Sequence, residues 1–402
     1  MRHRWLRAVL MPVVGALLVG SFVGSLVGSL SGCSWMRGIF DSGEPAEPPT
    51  PLASFEPAFK VRTLWSERAG RGVENQYAKL ALAVDRGRVF AADVRGRVMA
   101  LDAQSGKRIW DVDTRAPITG GIGVGDGQLL LGTGNAQVLA LSEDNGAILW
   151  RSPVSSEILA APHSGEGVVV VQTNDGKLFG LDAGDGHRLW LYQEVVPVLT
   201  LRGRSAPLIM RGRVVAGLAS GKLVALTLRD GKPLWETPIA VPRGRSELDR
   251  MVDITSDPQL YEGVIYVASY QGRVAAVDPE SGRILWERDV SSYAGLAVDE
   301  TNVYVTDEHS QVWALDRASG SSAWKQDRLR GRMLTAPVVL GSAVVVGDFE
   351  GYLHWLSKDN GAFQARLRVD SSGILAPGVV ADDTLYVISR RGEVEALRAG
   401  GS

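Results

Sequence analysis

The stretch Asp175-Gly-Lys-Leu-Phe-Gly-Leu-Asp-Ala-Gly-Asp-Gly-His-Arg-Leu-Trp190 is one copy of a signature that returns about every forty residues along the chain. A period of that length marks a repeat architecture. The aliphatic residue at its centre falls at Leu101, Leu141, Leu181, Leu226, Val277, Leu315, Leu356 and Leu397, which makes eight copies. Trp follows nine residues later at Trp110, Trp150, Trp190, Trp235, Trp286 and Trp324, with Ala365 in the seventh place. The eighth copy ends at Ser402 before its Trp position, while Trp65 stands upstream of the first copy in Lys60-Val-Arg-Thr-Leu-Trp65. That offset fits a closed ring in which the first strand pairs beside the last and leaves no free sheet edge. The expectation is an all-β fold, an eight-bladed β-propeller with four-stranded blades, closed by a strand at residues 59–67.

The text between signatures supports strands. In Ala336-Pro-Val-Val-Leu-Gly-Ser-Ala-Val-Val-Val-Gly-Asp-Phe-Glu-Gly-Tyr-Leu-His-Trp-Leu-Ser357, β-branched runs are separated by Gly-containing turns, the pattern of hairpins. A small residue precedes the central Leu at Ala100, Ala140, Gly180, Ala225, Ala276, Ala314 and Ala396, expected where neighbouring blades approach closely; Trp355 breaks the pattern. The Gly at positions 106, 146, 186, 231, 282, 320 and 361 ends a tight connection expected to need positive φ, which costs Gly nothing. The Trp that follows is expected to bury its ring between blades.

The chain divides into three parts. Arg2, Arg4 and Arg7 precede an uncharged apolar stretch, residues 9–30, which ends at Leu30-Ser31-Gly32-Cys33. This resembles a bacterial lipoprotein signal peptide over residues 1–32, with Cys33 as the lipidated residue. Ser34 after it resembles the sorting rule for the outer membrane. Residues 33–58 carry Glu44, Pro45, Glu47, Pro48, Pro49, Pro51 and Pro57, a composition expected to form a flexible tether. Residues 59–402 are the propeller.

Composition excludes several function classes. The formal charge of −2 becomes −2 − 3 = −5 once the three signal-peptide arginines are removed, so no nucleic-acid surface is expected. Cys33 is the single cysteine, and once lipidated it leaves no thiol for a disulfide, a metal or nucleophilic catalysis. His3 lies in the signal peptide, His163 and His187 in expected turns, His309 at the head of a repeat and His354 in a third strand, none with a partner at ligand spacing. Asp102, Asp182, Asp278 and Asp316 recur too regularly for a unique active site and read as turn formers. The Gly-rich run Gly120-Gly-Ile-Gly-Val-Gly125 has no following helix and is no phosphate loop. The repeat also resembles that of pyrroloquinoline-quinone dehydrogenases, eight-bladed propellers that hold Ca²⁺ and usually carry a vicinal disulfide, which one lipidated cysteine cannot supply. No catalytic set, cofactor or metal is therefore expected, and a quinoprotein-like or small-ligand propeller is the alternative reading.

The period breaks in two places. The central positions step by 40, 40, 45, 51, 38, 41 and 41 residues. The long steps contain Glu194-Val-Val-Pro-Val-Leu-Thr-Leu-Arg-Gly-Arg-Ser-Ala-Pro207 and Pro242-Arg-Gly-Arg-Ser-Glu-Leu-Asp-Arg-Met-Val-Asp253. Long connections in a compact fold are where function concentrates.

With the segments Leu201-Arg-Gly-Arg-Ser-Ala-Pro207 and Glu247-Leu-Asp-Arg-Met-Val-Asp253, the whole chain resembles the BamB family, the lipoprotein subunit of the β-barrel assembly machinery of the outer membrane. The resemblance implies a non-catalytic, palmitate-bearing scaffold on the periplasmic face of the outer membrane. It implies docking on the POTRA domains of BamA through Leu199, Leu201, Arg202, Glu247, Asp249, Arg250 and Asp253, and contact with the rest of the assembly complex. Unfolded outer-membrane protein strands are a further expected partner, by strand addition to the outermost strands. Thr255 stands where many members carry a second acid, so the acidic part of the contact is expected either to be weaker here or to be supplied by Asp257.

Overall fold

The repeat units each fold into a four-stranded antiparallel sheet, eight in all, in a computed structural model that describes residues 48–400 apart from 75 and 77. The readings of residues 1–32, of Cys33 and of the tether up to residue 47 lie outside the described residues. No helix occurs among the described residues. In chain order, blades 1 to 7 span residues 83–113, 118–153, 163–193, 208–238, 259–288, 295–326 and 338–368. Blade 8 combines residues 379–399 with the N-terminal strand Val61–Arg68, which lies antiparallel to Glu393–Ala399 with Val61 opposite Ala399 and Arg68 opposite Glu393. The ring closes as its displaced Trp65 requires.

Strand register explains the signature. Ala100 lies opposite Trp110, Ala140 opposite Trp150, Gly180 opposite Trp190, Ala225 opposite Trp235, Ala276 opposite Trp286 and Ala314 opposite Trp324. The small residue is therefore small because the indole of its own blade lies across it, not because another blade approaches. At Gly180 a Cβ would lie 2.1 Å from Trp190 Cε2. Blade 7 exchanges the pair, with Trp355 opposite Ala365.

The same indole joins one blade to the next. Its N–H donates to the carbonyl two residues beyond the next central Leu: Trp65 to Ala103 (2.9 Å), Trp110 to Glu143 (2.9 Å), Trp150 to Ala183 (2.9 Å), Trp190 to Leu228 (2.8 Å), Trp235 to Pro279 (3.0 Å), Trp286 to Arg317 (2.9 Å) and Trp324 to Lys358 (2.7 Å). Its ring covers the signature Gly of that next blade. Gly231, at φ +66°, would place a Cβ 2.6 Å from Trp190, so positive φ and the missing side chain are both required there. The signature aspartates are turn formers as expected: Asp102, Asp278 and Asp316 each accept a backbone N–H three residues on, at 2.8 Å.

The tether reading needs correction at its C-terminal end. Residues 50–58 are docked along blade 7, where Leu52 packs against the apolar cluster between blades 6 and 7 and Phe55 stacks on Phe363 with ring centroids 5.3 Å apart. The prolines and glutamates that suggest a solvated linker lie mainly before Leu52, whereas Leu52, Phe55 and Phe59 give the later part apolar anchors. Averaged composition hid that spacing.

Candidate functional site

Two enlarged connections and a shorter one meet on one face of the ring. Residues 194–207 run from the outermost strand of blade 3 (Arg188–Gln193) to the innermost strand of blade 4 (Leu208–Met210). Their start is held by Glu194, which accepts from Ser220 Oγ at 3.1 Å and pairs with Lys222 at 2.9 Å. Val196 then lies over Gly176, where a Cβ would meet its Cγ2 at 2.2 Å. The valines on either side face outward: Val195 is 87% and Val198 85% exposed, and Leu199 is 38% exposed. Leu201 is half-buried. Arg202 is exposed and makes a bidentate pair with Glu157, 3.3 Å to each oxygen, on the connection between blades 2 and 3.

The second connection, residues 239–258, leads from blade 4 to blade 5 and is exposed from Val241 to Arg250. It is structured by a reciprocal turn: Asp249 N–H donates to Ser246 Oγ at 3.0 Å, and the Asp249 carboxylate accepts the Ser246 N–H at 3.1 Å. That backbone bond, with a further one from the Ser246 hydroxyl, holds the Asp249 carboxyl below its ordinary value. Gly244, at φ +112°, gives the turn its entry, since a Cβ there would lie 2.3 Å from Asp249 Cβ. Glu247 and Arg250 form a loose exposed pair at 3.9 Å, and Leu248 projects into solvent.

A buried ion pair joins the two connections. Asp253 accepts the Leu201 N–H at 3.2 Å and one guanidinium nitrogen of Arg204 at 3.3 Å through the same oxygen. Arg204 also donates to the carbonyls of Gly203 (2.7 Å) and Asn174 (3.0 Å). Burial pushes the Asp253 carboxyl up to about 6, and the neighbouring guanidinium opposes that rise. Val252 and Ile254, both buried, flank Asp253, which bridges to Tyr270.

Of the residues expected to contact a partner, Leu199, Arg202, Glu247, Asp249 and Arg250 are exposed and Leu201 partly so. Asp253 is placed differently from the others: its exposure is 0%, and it braces the patch from beneath. Asp257 is a correction. It lines the central channel and accepts the Ala206 N–H at 2.6 Å, so it cannot replace the missing acid at Thr255, whose hydroxyl donates to the Tyr293 carbonyl at 3.2 Å. Sequence reasoning missed Arg204, Glu157, Val195, Val198 and Leu248. Extended-chain alternation places Arg202 and Arg204 on one side, and nothing in the sequence says which of the two is buried.

Other polar groupings are accounted for. His163, expected in a turn, lies in the innermost strand His163–Gly165 and lines a channel cavity of about 510 Å³ with Lys79 and Asp257. The opposite wall, with Leu296, Val298, Val339 and Val380, is apolar. Desolvation by the surrounding channel walls lowers the Lys79 and His163 basicities and raises the Asp257 carboxyl, although Asp257 still reaches the solvent in the channel. Asp182, Asp185 and His187 bring possible metal ligands within 4.8 Å in an exposed turn, where both carboxylates already accept backbone N–H groups at 2.8 and 2.9 Å.

Fold and site together define a class: a closed propeller of eight repeat blades whose enlarged connections build a braced, partly apolar patch on one face. Comparison with known proteins narrows it. A family profile described as outer membrane protein assembly factor BamB matches residues 62–120 and 94–326. The outer membrane protein assembly factor BamB of Alkalilimnicola ehrlichii is 54% identical over 338 residues, 84% of this chain and 88% of its own. That of Escherichia coli is 37% identical over 91% of this chain and 95% of its own. The crystal structure of BamB from Moraxella catarrhalis matches with a TM-score of 0.78 at 28% identity, over 84% of this chain and 100% of that one. A quinohemoprotein alcohol dehydrogenase from Comamonas testosteroni, at 14% identity and a TM-score of 0.67 over 85% of this chain and 77% of its own, shares the fold alone. The chain belongs to the BamB family, whose members are named for assembly of outer membrane proteins, a non-catalytic role.

Proposed function

We propose that this chain is a scaffold for outer-membrane protein assembly that docks on the POTRA domains of BamA through the face built by residues 195–202 and 247–250. The observation that carries this reading is the exposure of Val195 and Val198 at 87% and 85% on a connection braced from below by the Arg204–Asp253 pair. Apolar side chains held rigidly in solvent form a desolvatable centre at little ordering cost. Arg202 beside them is a directional donor that can exchange Glu157 for a partner carboxylate. Exposed ion pairs of this kind contribute only about 0–1 kcal/mol to the fold, so the exchange is inexpensive. Lipid on Cys33 holds the chain on the periplasmic face of the outer membrane.

Co-purification of BamA from detergent-solubilised outer membranes tests the docking, with the unaltered chain and with the double change Leu199→Glu plus Arg202→Glu. Retention by the first and loss by the second, with both folded, is the expected result; no BamA with the unaltered chain refutes it. Cys33→Ala should release the chain from the membrane fraction and abolish palmitate labelling.

A further inference from the structure

The junction between blades 7 and 8 lacks the bond that joins the other blades. Ala365 stands where the joining Trp belongs, and the exchanged Trp355 is buried with its indole nitrogen unbonded within the protein. Phe59 packs there beside Ala365 and Leu397, and residues 50–58 lead up to it along blade 7. That segment runs antiparallel to the outermost strand of blade 7, Phe363–Arg368, with the Ala58 N–H donating to the Gln364 carbonyl at 2.8 Å and the Thr50 N–H to the Arg330 carbonyl at 2.9 Å. It then continues through Phe59 into Val61–Arg68, a strand of blade 8. One piece of chain thus bridges both blades.

Blade 7 is specialised to receive it. Arg366 donates to the Ala53 carbonyl at 2.9 Å and lies over the rings of Phe55 and Phe363, 5.0 and 5.3 Å from their centroids. Arg332 donates to the Thr50 carbonyl at 3.2 Å. Both arginines are oriented from within. Buried Asp348 accepts from Arg332 Nε at 2.8 Å and meets His354 Nε2 at 3.0 Å, while Arg366 Nε donates to His354 Nδ1 at 3.1 Å. His354 therefore stands neutral, its basicity lowered by burial, as an acceptor toward Arg366 and a donor toward Asp348.

We propose that blade 7 holds this chain's own residues 50–58 as a strap that seats Phe59 in the seam between blades 7 and 8 in place of the Trp bond. Antiparallel order places each connection between blades on the same face as the hairpin between a blade's second and third strands. Arg332, on the connection from blade 6 to blade 7, reaches both Asp348 in such a hairpin and Thr50. Thr50 thus lies on the face that carries residues 194–207 and 239–258.

Hydrogen exchange read by mass spectrometry on the lipid-free chain tests the strap, with the unaltered protein and with Leu52→Ser plus Phe55→Ser, which leave the ring's own side chains in place. The unaltered 50–58 peptide should exchange at least about tenfold more slowly than free chain, and the variant at the free rate. The variant should also speed exchange of Phe363–Arg368 while leaving Arg188–Gln193 unchanged. Free-rate exchange of 50–58 in the unaltered protein overturns the strap, and an unchanged Phe363–Arg368 overturns its role at the seam. Because the strap lies away from blades 3 to 5, the variant should still retain BamA; that arm reads the docking reading separately from this one.

Discussion

Replacing Trp190 with Ala removes three things at once. The indole is 7% exposed, so its loss leaves a cavity between blades 3 and 4 worth about 3–5 kcal/mol. The Leu228 carbonyl, its acceptor at 2.8 Å, loses its partner at a further cost of about 1 kcal/mol. Gly231, held at φ +66° by its turn, loses the ring that covers it. With a urea m-value of about 3 kcal/mol/M, the unfolding midpoint should fall by roughly 1–2 M. The control is the preceding residue: Leu189 is 40% exposed on the opposite side of the same strand, and Leu189→Ala should cost under about 1 kcal/mol. Urea titration followed by tryptophan fluorescence and, independently, by far-ultraviolet circular dichroism gives both numbers. Equal small losses for the two variants would refute the account of the indole as the bond between blades.

Gly231→Ala should destabilise by at least about 1 kcal/mol, because the new methyl would lie 2.6 Å from Trp190 in a left-handed backbone; Gly263→Ala, with open space around it, pays for strain alone and gives the comparison in the same titration. Asp253 predicts a pH dependence. Its carboxyl rises on folding from 3.8 to about 6, so the folded chain takes up the proton more readily; its ionisation opposes folding above pH 6, and that opposition fades as pH falls toward 4. The rise corresponds to about 3 kcal/mol. The midpoint of the unaltered chain relative to Asp253→Asn should therefore improve on going from pH 8 to pH 4.5, and a difference that does not move with pH contradicts the burial argument. Arg202→Ala, by contrast, should leave the midpoint within about 1 kcal/mol of the original while weakening BamA retention in the co-purification.

Much of this fold was legible because a propeller writes the same physical solution eight times. Trp65, displaced to the N-terminus, announced ring closure, and the strand Val61–Arg68 supplies it. What the repeat could not convey was the reason for each position: Ala100 and Gly180 read as points of close approach between blades, and only register shows each lying across from its own Trp. The exchange of Trp355 and Ala365 looked like two separate lapses for the same reason. At the candidate site, broken spacing located both connections, since inserted length is visible in one dimension. Which carboxylate faces out is not. Asp249 and Asp253 are four residues apart in one polar run, yet one closes an exposed turn and the other is buried on Arg204. The docked strap escaped notice because Leu52, Phe55 and Phe59 lie among prolines, and the ring on which Phe55 stacks, Phe363, is more than three hundred residues away.

The most direct test of the docking claim is calorimetric titration of the lipid-free chain with the soluble POTRA domains of BamA, repeated with Arg202→Ala and Leu199→Ala. Saturable one-to-one binding, weakened at least about tenfold by each change, equivalent to about 1.4 kcal/mol, is the predicted result. Absence of binding by the unaltered chain, or variants that bind as it does, would contradict it.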